Sequence, residues 1–226
     1  FSTDLDFATP DADSATLLLD TLDGAELFDV RFRLADRETL RAKLVVETPL
    51  GQPGIPARVE ISPRPLWLPT VPMSPVSLPV HGGYEFNIPV LPAPALEETL
   101  AEKLAAWRRR RKLRDLYDLF LFGKGGLDET LVRRLLLLKV WHDVVVDGLG
   151  SKPFDPSDVV ADVDITRIAS EDIGLLTQPV EPAVWLGTVR TRYAFVTQLD
   201  EVERRLSQCN PRDRYEVSQL VAEFRS

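Results

Sequence analysis

Two carboxylates stand one residue apart near the start of the chain, in the apolar frame Phe-Ser-Thr-Asp-Leu-Asp-Phe. On a strand, alternate side chains project from one face, so Asp4 and Asp6 would point together while Leu5 points into a core. Oxygen ligands spaced about 6–7 Å apart along a strand suit a hard divalent cation such as Mg²⁺. A solvated strand end or a helix cap explains the pattern equally well, and both interpretations stay open at this point.

A third carboxylate, Glu60, stands between Val59 and Ile61 in the stretch ARVEI, which is typical of a strand. If that strand lies beside the one that carries Asp4 and Asp6, Glu60 can face the same metal ion. The pattern alone favours an ordinary exposed glutamate, so Glu60 depends on its neighbours for a role.

The stretch LEETLAEKLAAWRRRRKLRDLYDLFL, residues 96–121, contains the next candidates. Leucines at helical spacing predict a helix, either continuous or broken at Arg108–Arg111. On one continuous helix Lys103 and Arg114 would lie about 20° apart around the axis, and Lys103 and Asp118 about 60° apart. A solvated basic stripe with salt bridges is the simpler interpretation of the stretch alone.

Other chemical side chains have a plainer explanation. Asp162 and Asp164 repeat the acid-apolar-acid spacing, but they follow a loop and indicate a cap or a surface feature. His142 stands in an apolar run and is predicted to be a core histidine. Cys209 has no partner that would make it a nucleophile, and His-Gly-Gly at 81–83 predicts a turn.

Periodicity predicts the elements that must position these residues. Besides the opening strand, the strands are predicted at 30–35, 41–47 and 57–61, with an extended segment at 84–91. Turns are predicted at 48–56 and 92–94, where prolines cluster. The predicted helices are 15–29, 96–121, 130–147, 184–208 and 214–224.

Composition narrows the class of protein. The 226 residues carry a formal charge of −8, from 35 acidic and 27 basic residues, which argues against a nucleic-acid binder that uses its whole surface. One cysteine and two histidines exclude a disulfide framework and a cysteine-rich zinc site, so a metal would need carboxylates. No apolar run is long enough for a membrane span, and we expect a cytoplasmic protein without membrane partners.

The opening SxDLDF, the strand around Glu60 and the segment EKLAAWRRRRKLRDLYDL together resemble the AbiEii/MenT nucleotidyltransferase toxins of the DNA polymerase β-like superfamily. The resemblance covers residues 1–122 and is most specific in Glu102–Leu119. It implies an α+β fold, with a nucleotidyltransferase-like mixed β-sheet and helices in the N-terminal half and a mostly helical C-terminal half. The catalytic core would be 1–95, and the helical domain 96–226 would complete the active site.

The resemblance also implies a role for each candidate residue. Asp4 and Asp6 would bind Mg²⁺ with Glu60 as the third carboxylate, and Lys103 would contact the nucleotide phosphates. Asp118 would be the essential aspartate of RDLYD. Arg114 would help to bind the nucleotide, Asp115 would support the arrangement, and Ser2 matches a serine that is phosphorylated in some relatives.

The activity implied is transfer of a nucleotide from an NTP to RNA, at the 3′ end of tRNA, by a toxin that an antitoxin restrains. The basic run Arg108–Lys112 favours an RNA acceptor. A small-molecule or protein acceptor, and an inactive interaction module of the same fold, remain alternatives. Because the sequence begins at Phe1 without the family's Gly-Gly-Ser/Thr element, we expect that a preceding segment is missing and that the chain as given is inactive without it.

Overall fold

A computed structural model of the chain describes residues 4–9, 11–49, 51–62, 64–74, 89–122, 126–150, 152–165 and 179–225. The chain divides into two compact units, Phe1–Leu66 and Trp67–Ser226. The first combines a sheet with a helix and the second is mainly helical, so the predicted α+β class is confirmed. The functional boundary expected after residue 95 stays a prediction.

The first unit is a mixed sheet with one helix packed on it. Its elements are β1 (Asp4–Ala8), α1 (Ala12–Leu22), β2 (Glu26–Leu27), β3 (Val30–Ala35), β4 (Arg41–Thr48) and β5 (Gly51–Ser62). Among the described residues, the strand order is β1-β5-β4-β3-β2, with β1 parallel to β5 and the other pairs antiparallel. Alternate residues of β4 and β5, such as Leu44 and Val59, meet Leu19 of α1 in a small core. The charged alternate residues therefore lie on the opposite face.

Helix α1 is shorter than the predicted 15–29, and the prediction is wrong at its C-terminal end. The Asp11 side chain caps the start by accepting a hydrogen bond from the Ser14 N–H at 2.6 Å, and this bond lowers the pKa of Asp11. Gly24, with φ of 80°, follows the last turn and ends the helix. The next residues form the short β2–β3 hairpin instead.

A turn was predicted at 48–56, but only the first residues of that range form one. The chain turns between Thr48 and Gly51, where φ is 102°, and β5 then continues through Pro53 and Pro56. This part of β5 precedes the stretch that pairs with β1, so one of its sides has no strand partner among the described residues. A proline without an N–H is tolerated on such an edge.

The second unit is built on two long helices and the shorter ones around them. Its elements are β6 (Val71–Met73), β7 (Leu91–Ala93), α2 (Leu96–Arg110), α3 (Leu113–Leu121), α4 (Glu129–Val145), α5 (Ser157–Val160), α6 (Pro182–Arg192), α7 (Glu201–Leu206) and α8 (Arg214–Glu223), with 3₁₀ turns at Ala194–Thr197 and Pro211–Asp213. Leu100, Leu104, Trp107 and Trp141 are among the fully buried side chains of its core. The predicted helices 130–147 and 214–224 are confirmed within two residues at each end.

Two predicted elements of this unit need correction. The helix at 184–208 breaks after Arg192, and α7 begins later with a capping box in which Asp200 and Glu203 satisfy each other's backbone N–H groups. The predicted turn at 92–94 is instead β7, which pairs with β6. Most of the extended segment 84–91, and the turn at 81–83, lie outside the described residues. None of the helices described has the length and apolar character needed to cross a bilayer.

Candidate active site

The first group of candidate residues lies on the charged face of the sheet. Asp4 and Asp6 alternate with Leu5 on β1, so both project from one face. In the parallel register Asp4 pairs with Arg58 and Asp6 pairs with Glu60. The structure thus brings Asp4, Asp6 and Glu60 to the same face on neighbouring strands. Asp4 is half-buried, whereas Asp6 and Glu60 are exposed to solvent.

Arg58 is a cation of this face that sequence reasoning missed. Its Nη1 donates a hydrogen bond to Glu60 Oε1 at 3.4 Å, and both side chains are largely exposed. Across the antiparallel pairing, Arg41 lies opposite Glu60 and Lys43 lies opposite Arg58. These side chains line a shallow depression of about 360 Å³ with Asp36 and Glu38. The alternation of Arg58 with Glu60 in ARVEI was the signal that could have revealed it.

The carboxylates of this face suit Mg²⁺ only in part. Among the described residues, no three acidic, histidine or cysteine side chains converge closely enough to enclose a metal ion. Mg²⁺ does not need such a cage, because it keeps several waters and binds one or two carboxylates together with substrate phosphates. Asp4 and Asp6 can supply those two carboxylates. Glu60 accepts a hydrogen bond from Arg58 at Oε1, so the ion would bind its other carboxylate oxygen, Oε2.

The second group lies in the second unit, where Lys103 of α2 meets Asp118 of α3. Lys103 Nζ donates to Asp118 Oδ2 at 2.5 Å, and each side chain is about one third exposed, at 34% and 32%. Arg114 is half-buried and lies one helical turn before Asp118, so the two share a face of α3. This arrangement offers a fixed ammonium group that solvent, and therefore a phosphate, can still reach.

Lys103 and Asp118 can pair because residues 96–121 do not form one continuous helix. The helix is broken within Arg108–Arg111, which was one of the two interpretations of the sequence. Arg111 adopts the left-handed conformation with φ of 49°, and its N–H donates to the Trp107 carbonyl at 3.1 Å. The Arg111 guanidinium lies 4.7 Å from the centre of the Trp107 ring, which holds the turn in place. The chain then reverses, and α3 packs back on α2.

Both ends of α3 are tied to other helices. At its start, Asp115 is fully buried and receives two hydrogen bonds from the Arg110 fork, at 2.5 and 2.7 Å, which raise the pKa of Arg110. At its end, Arg192 donates to the carbonyls of Phe120 and Phe122, and the Tyr193 hydroxyl donates to the Leu119 carbonyl. These contacts fix the position of Asp118 between them.

A buried ion network lies next to Lys103 and was not predicted. Glu98 of α2 accepts hydrogen bonds from the backbone N–H groups of Trp67 and Leu68 and from Lys139 of α4. Lys139 also donates to Glu102 at 2.7 Å, and its ammonium lies 4.3 Å from the centre of the Trp67 ring. A lysine inside the apolar run LLLLKVW was the available signal, because a buried cation needs partners.

The basic run Arg108–Lys112, which favoured an RNA acceptor in the sequence, also makes structural contacts. Each of its four arginines is bonded within the second unit. Arg108 donates to the carbonyls of Lys152 and Pro153, Arg109 to Asp143, Arg110 to Asp115, and Arg111 to the Asp158 carbonyl. The guanidinium groups in this run therefore act first as structural links.

Asp162, Asp164 and Cys209 behave as expected from the sequence, whereas His142 is less buried than the predicted core histidine. Asp162 and Asp164 are exposed, and Asp162 forms an ion pair with Arg190 at 3.3 Å. His142 is half-buried against the edge of Trp67, at 6.1 Å between ring centres. Cys209 is buried, and burial raises the pKa of its thiol. Ser2 lies outside the described residues.

The chain was compared with protein-family models, solved structures and curated protein sequences. The family model "Nucleotidyl transferase AbiEii toxin, Type IV TA system" matches residues 1–205. Among solved structures, this chain is similar to MenT4, a nucleotidyltransferase toxin from Mycobacterium tuberculosis H37Rv, with 43% sequence identity and a TM-score of 0.91. That match covers 100% of this chain and 78% of MenT4. A comparison with curated protein sequences gave no match.

Proposed function

The chain belongs to the AbiEii family of nucleotidyl transferase toxins, and from this premise we propose that it transfers a nucleotide from an NTP to the 3′ end of tRNA with Mg²⁺ as cofactor. The family makes it a nucleotidyltransferase toxin of a type IV toxin–antitoxin system, with an antitoxin as its partner. The similarity to MenT4 over the whole chain carries the proposal. The RNA acceptor and the metal go beyond that similarity and rest on the residues below.

Asp4 and Asp6 would hold Mg²⁺, with Glu60 beside them as the third carboxylate. When bound, the ion supplies positive charge for the α-phosphate and for the leaving pyrophosphate. In the reaction, the acceptor hydroxyl attacks the α-phosphorus, a new P–O bond forms, and the bond to pyrophosphate breaks. Glu60 is suited to accept the hydroxyl proton, because a carboxylate beside the metal ligands can act as a general base.

Lys103 would bind the β- and γ-phosphates of the NTP. Asp118 holds the Lys103 ammonium in place, and about one third of the Lys103 side chain remains exposed to solvent. A positioned cation of this kind stabilises the charge that develops on the leaving pyrophosphate. Asp118 is therefore a positioning residue, and Arg114 adds a second cation on the same face of α3.

The cations of the first unit support an RNA acceptor better than the run Arg108–Lys112 does. Arg41, Lys43 and Arg58 lie on the sheet face that carries Asp4 and Asp6. Their ion pairs with acidic neighbours are exposed and therefore weak, so RNA phosphates can replace the acidic partners. Binding through such contacts should weaken as salt rises.

The direct test incubates the purified full-length protein with total tRNA, Mg²⁺ and each of the four NTPs labelled at the α-phosphate. We expect label to enter tRNA at the 3′ end with at least one NTP, and EDTA to abolish it. Asp4→Asn and Lys103→Met should each reduce the rate by about 10²-fold or more, because each removes a charge that acts on the transferred group. Asp13→Asn, a surface change on α1, serves as the matched control and should keep the full rate.

Three results would contradict parts of the proposal in distinct ways. Label that enters a protein or a small molecule, but not tRNA, would replace the acceptor. Full activity of Asp4→Asn or Lys103→Met would reject the site assignment. Absence of Mg²⁺-dependent NTP binding would reject catalysis by this chain and favour an interaction module.

A further inference from the structure

Two ion pairs of the second unit join α2 to α3 on one side of these helices. Lys103 of α2 bonds Asp118 of α3, and Arg110 of α2 bonds Asp115 of α3. Lys103 and Arg110 are seven residues apart, which on a helix places them about 20° apart around the axis and about 10 Å apart along it. Both cations therefore lie on the side of α2 that meets α3.

The Arg110 guanidinium is held along one edge only. Asp115, which is fully buried, accepts hydrogen bonds from Arg110 Nε at 2.7 Å and from Nη2 at 2.5 Å. A guanidinium has five N–H donors, so both N–H groups of Nη1 and one of Nη2 are left over. Among the described residues, Asp115 is the only acceptor bonded to Arg110, and 35% of the Arg110 side chain is exposed. A ligand in solvent can therefore reach the unused edge.

The charges on this side of the two helices favour an anion. Lys103, Arg110 and the half-buried Arg114 bring three positive charges, whereas Asp115 and Asp118 bring two negative ones. The hydrogen bond with Asp115 raises the pKa of Arg110, and the charge of Asp118 adds to that effect. Arg110 is thus within electrostatic reach of Asp118, the residue that holds Lys103.

We propose that Arg110 is a further phosphate-binding residue of the nucleotide site and binds the triphosphate of the same NTP as Lys103. This inference rests on the nucleotide transfer proposed above. The unused edge of Arg110 presents N–H groups side by side, which matches two oxygens of one phosphate, and Asp115 fixes that edge before the nucleotide binds. The position beside Lys103 favours the NTP over an RNA backbone as the source of the phosphate.

The experiment titrates inorganic tripolyphosphate with Mg²⁺ into the full-length protein and measures the heat of binding. Tripolyphosphate represents the phosphates that all four NTPs share, and we expect it to bind saturably. Arg110→Gln combined with Asp115→Asn should weaken binding by about tenfold, because a charge-assisted contact is lost while no buried carboxylate is left without its cation.

The same run of arginines offers a matched control. Arg109 is 38% exposed and bonds Asp143, which is 8% exposed, at 2.8 Å. It lies about 120° from Lys103 around the axis of α2, and so on a different side of the helix. Arg109→Gln combined with Asp143→Asn should therefore bind tripolyphosphate as the unmodified protein does. Equal losses in the two double variants would overturn the proposal.

Further measurements separate this inference from the proposed function and from RNA binding. Lys103→Met should also weaken tripolyphosphate binding; if it does so and the Arg110 double variant does not, the role of Arg110 alone is rejected. No binding by the unmodified protein would reject the nucleotide site as a whole. Filter binding of tRNA without NTP should be unchanged in the Arg110 double variant. A tenfold loss there, with normal tripolyphosphate binding, would assign Arg110 to RNA and overturn the proposal.

Arg110→Lys provides a second route if the double variant fails to fold. It keeps the positive charge beside Asp115 but removes the paired N–H groups, so tripolyphosphate binding should weaken by about threefold. Circular dichroism verifies that the variant is folded. Binding as tight as that of the unmodified protein would refute the proposal.

Discussion

Several ion pairs of the first unit lie on the exposed face of its sheet, whereas several pairs of the second unit lie between helices. Arg33 and Glu47 are bonded at 3.0 Å with side chains 53% and 31% exposed. Lys139 and Glu98 are bonded at 2.9 Å with side chains 5% and 1% exposed. The same kind of contact therefore has two different consequences. Solvent competes for the first pair, and nothing replaces the partner of the second.

This difference helps to separate functional charges from structural ones. An exposed pair can release one member to a ligand at small cost, which suits the face that carries Asp4, Asp6 and Arg58. A buried pair fixes the fold and leaves no access for a ligand. Lys103 and Asp118 lie between the two cases, because both are about one third exposed in a unit whose other pairs include fully buried ones. That intermediate exposure is compatible with the phosphate-binding role proposed for Lys103.

The largest effect is expected at the buried network. Lys139→Met should lower the free energy of unfolding by about 3–5 kcal/mol, because it leaves the buried Glu98 carboxylate without its cation. Urea unfolding of the full chain, followed by circular dichroism, measures it. Lys152→Met is the control, since Lys152 pairs with Asp158 while 67% exposed, and its loss should cost less than about 1 kcal/mol. Equal losses in the two variants would show that buried and exposed ion pairs contribute equally to the stability of this chain.

A second prediction compares two aspartates one turn apart on α3. Asp115→Asn should cost about 2–3 kcal/mol of stability, because the Arg110 fork loses its charged, fully buried partner. Asp118→Asn should cost less than about 1 kcal/mol, because its pair is partly solvated, yet it should reduce nucleotide transfer by about 10²-fold through the loss of Lys103 positioning. Unfolding and tRNA labelling on the same samples give both values. Similar stability losses would show that Asp118 is structural as well.

The sequence predicted secondary structure well where charged and apolar residues alternate along a strand. The strands at 30–35 and 41–47 are confirmed because charged and apolar residues alternate in VRFRLA and RAKLVVE. The same alternation placed Asp4 and Asp6 on one face. By contrast, the passage of β5 through two prolines depends on the neighbouring strands, which local propensity does not report. The end of α1 did have a local signal in Gly24, which the predicted helix overran.

The sequence did not show which charged residues would pair with each other in the folded chain. A continuous helix would have put Lys103 and Asp118 about 60° apart on one element. The structure joins them from two helices, because Arg111 takes a left-handed conformation and its guanidinium packs over Trp107. The arginines at 108–111 looked like a surface for RNA, but their acceptors lie more than thirty residues further along the chain in three of the four cases. Such contacts exist only after the helices have packed.

A third, smaller loss of stability is expected at Tyr193, whose buried hydrogen bond joins two uncharged groups. Tyr193→Phe should cost about 1 kcal/mol, the typical value of one hydrogen bond, since the hydroxyl no longer donates to the Leu119 carbonyl. Burial raises the pKa of Tyr193 above its ordinary value of 10.0, so the phenol contributes to stability below pH 10 and loses that contribution as pH rises through the folded-state value. Urea unfolding from pH 8 to 11 should therefore show a steeper loss in the unmodified chain than in Tyr193→Phe. Parallel curves would mean that the hydroxyl is not sequestered.

The smallest effect should come from the exposed sheet face, where it sharpens the comparison most. A double-mutant cycle of Arg33→Ala and Glu47→Ala should give a coupling of less than about 0.5–1 kcal/mol, because both partners are well hydrated once separated. Raising the salt concentration to 1 M should remove even that, since the screening length falls to about 3 Å. A coupling as large as that of Lys139 with Glu98 would mean that these charges stabilise the sheet strongly. Arg41, Lys43 and Arg58 would then not exchange their partners readily, and this face would not be suited to receive RNA phosphates.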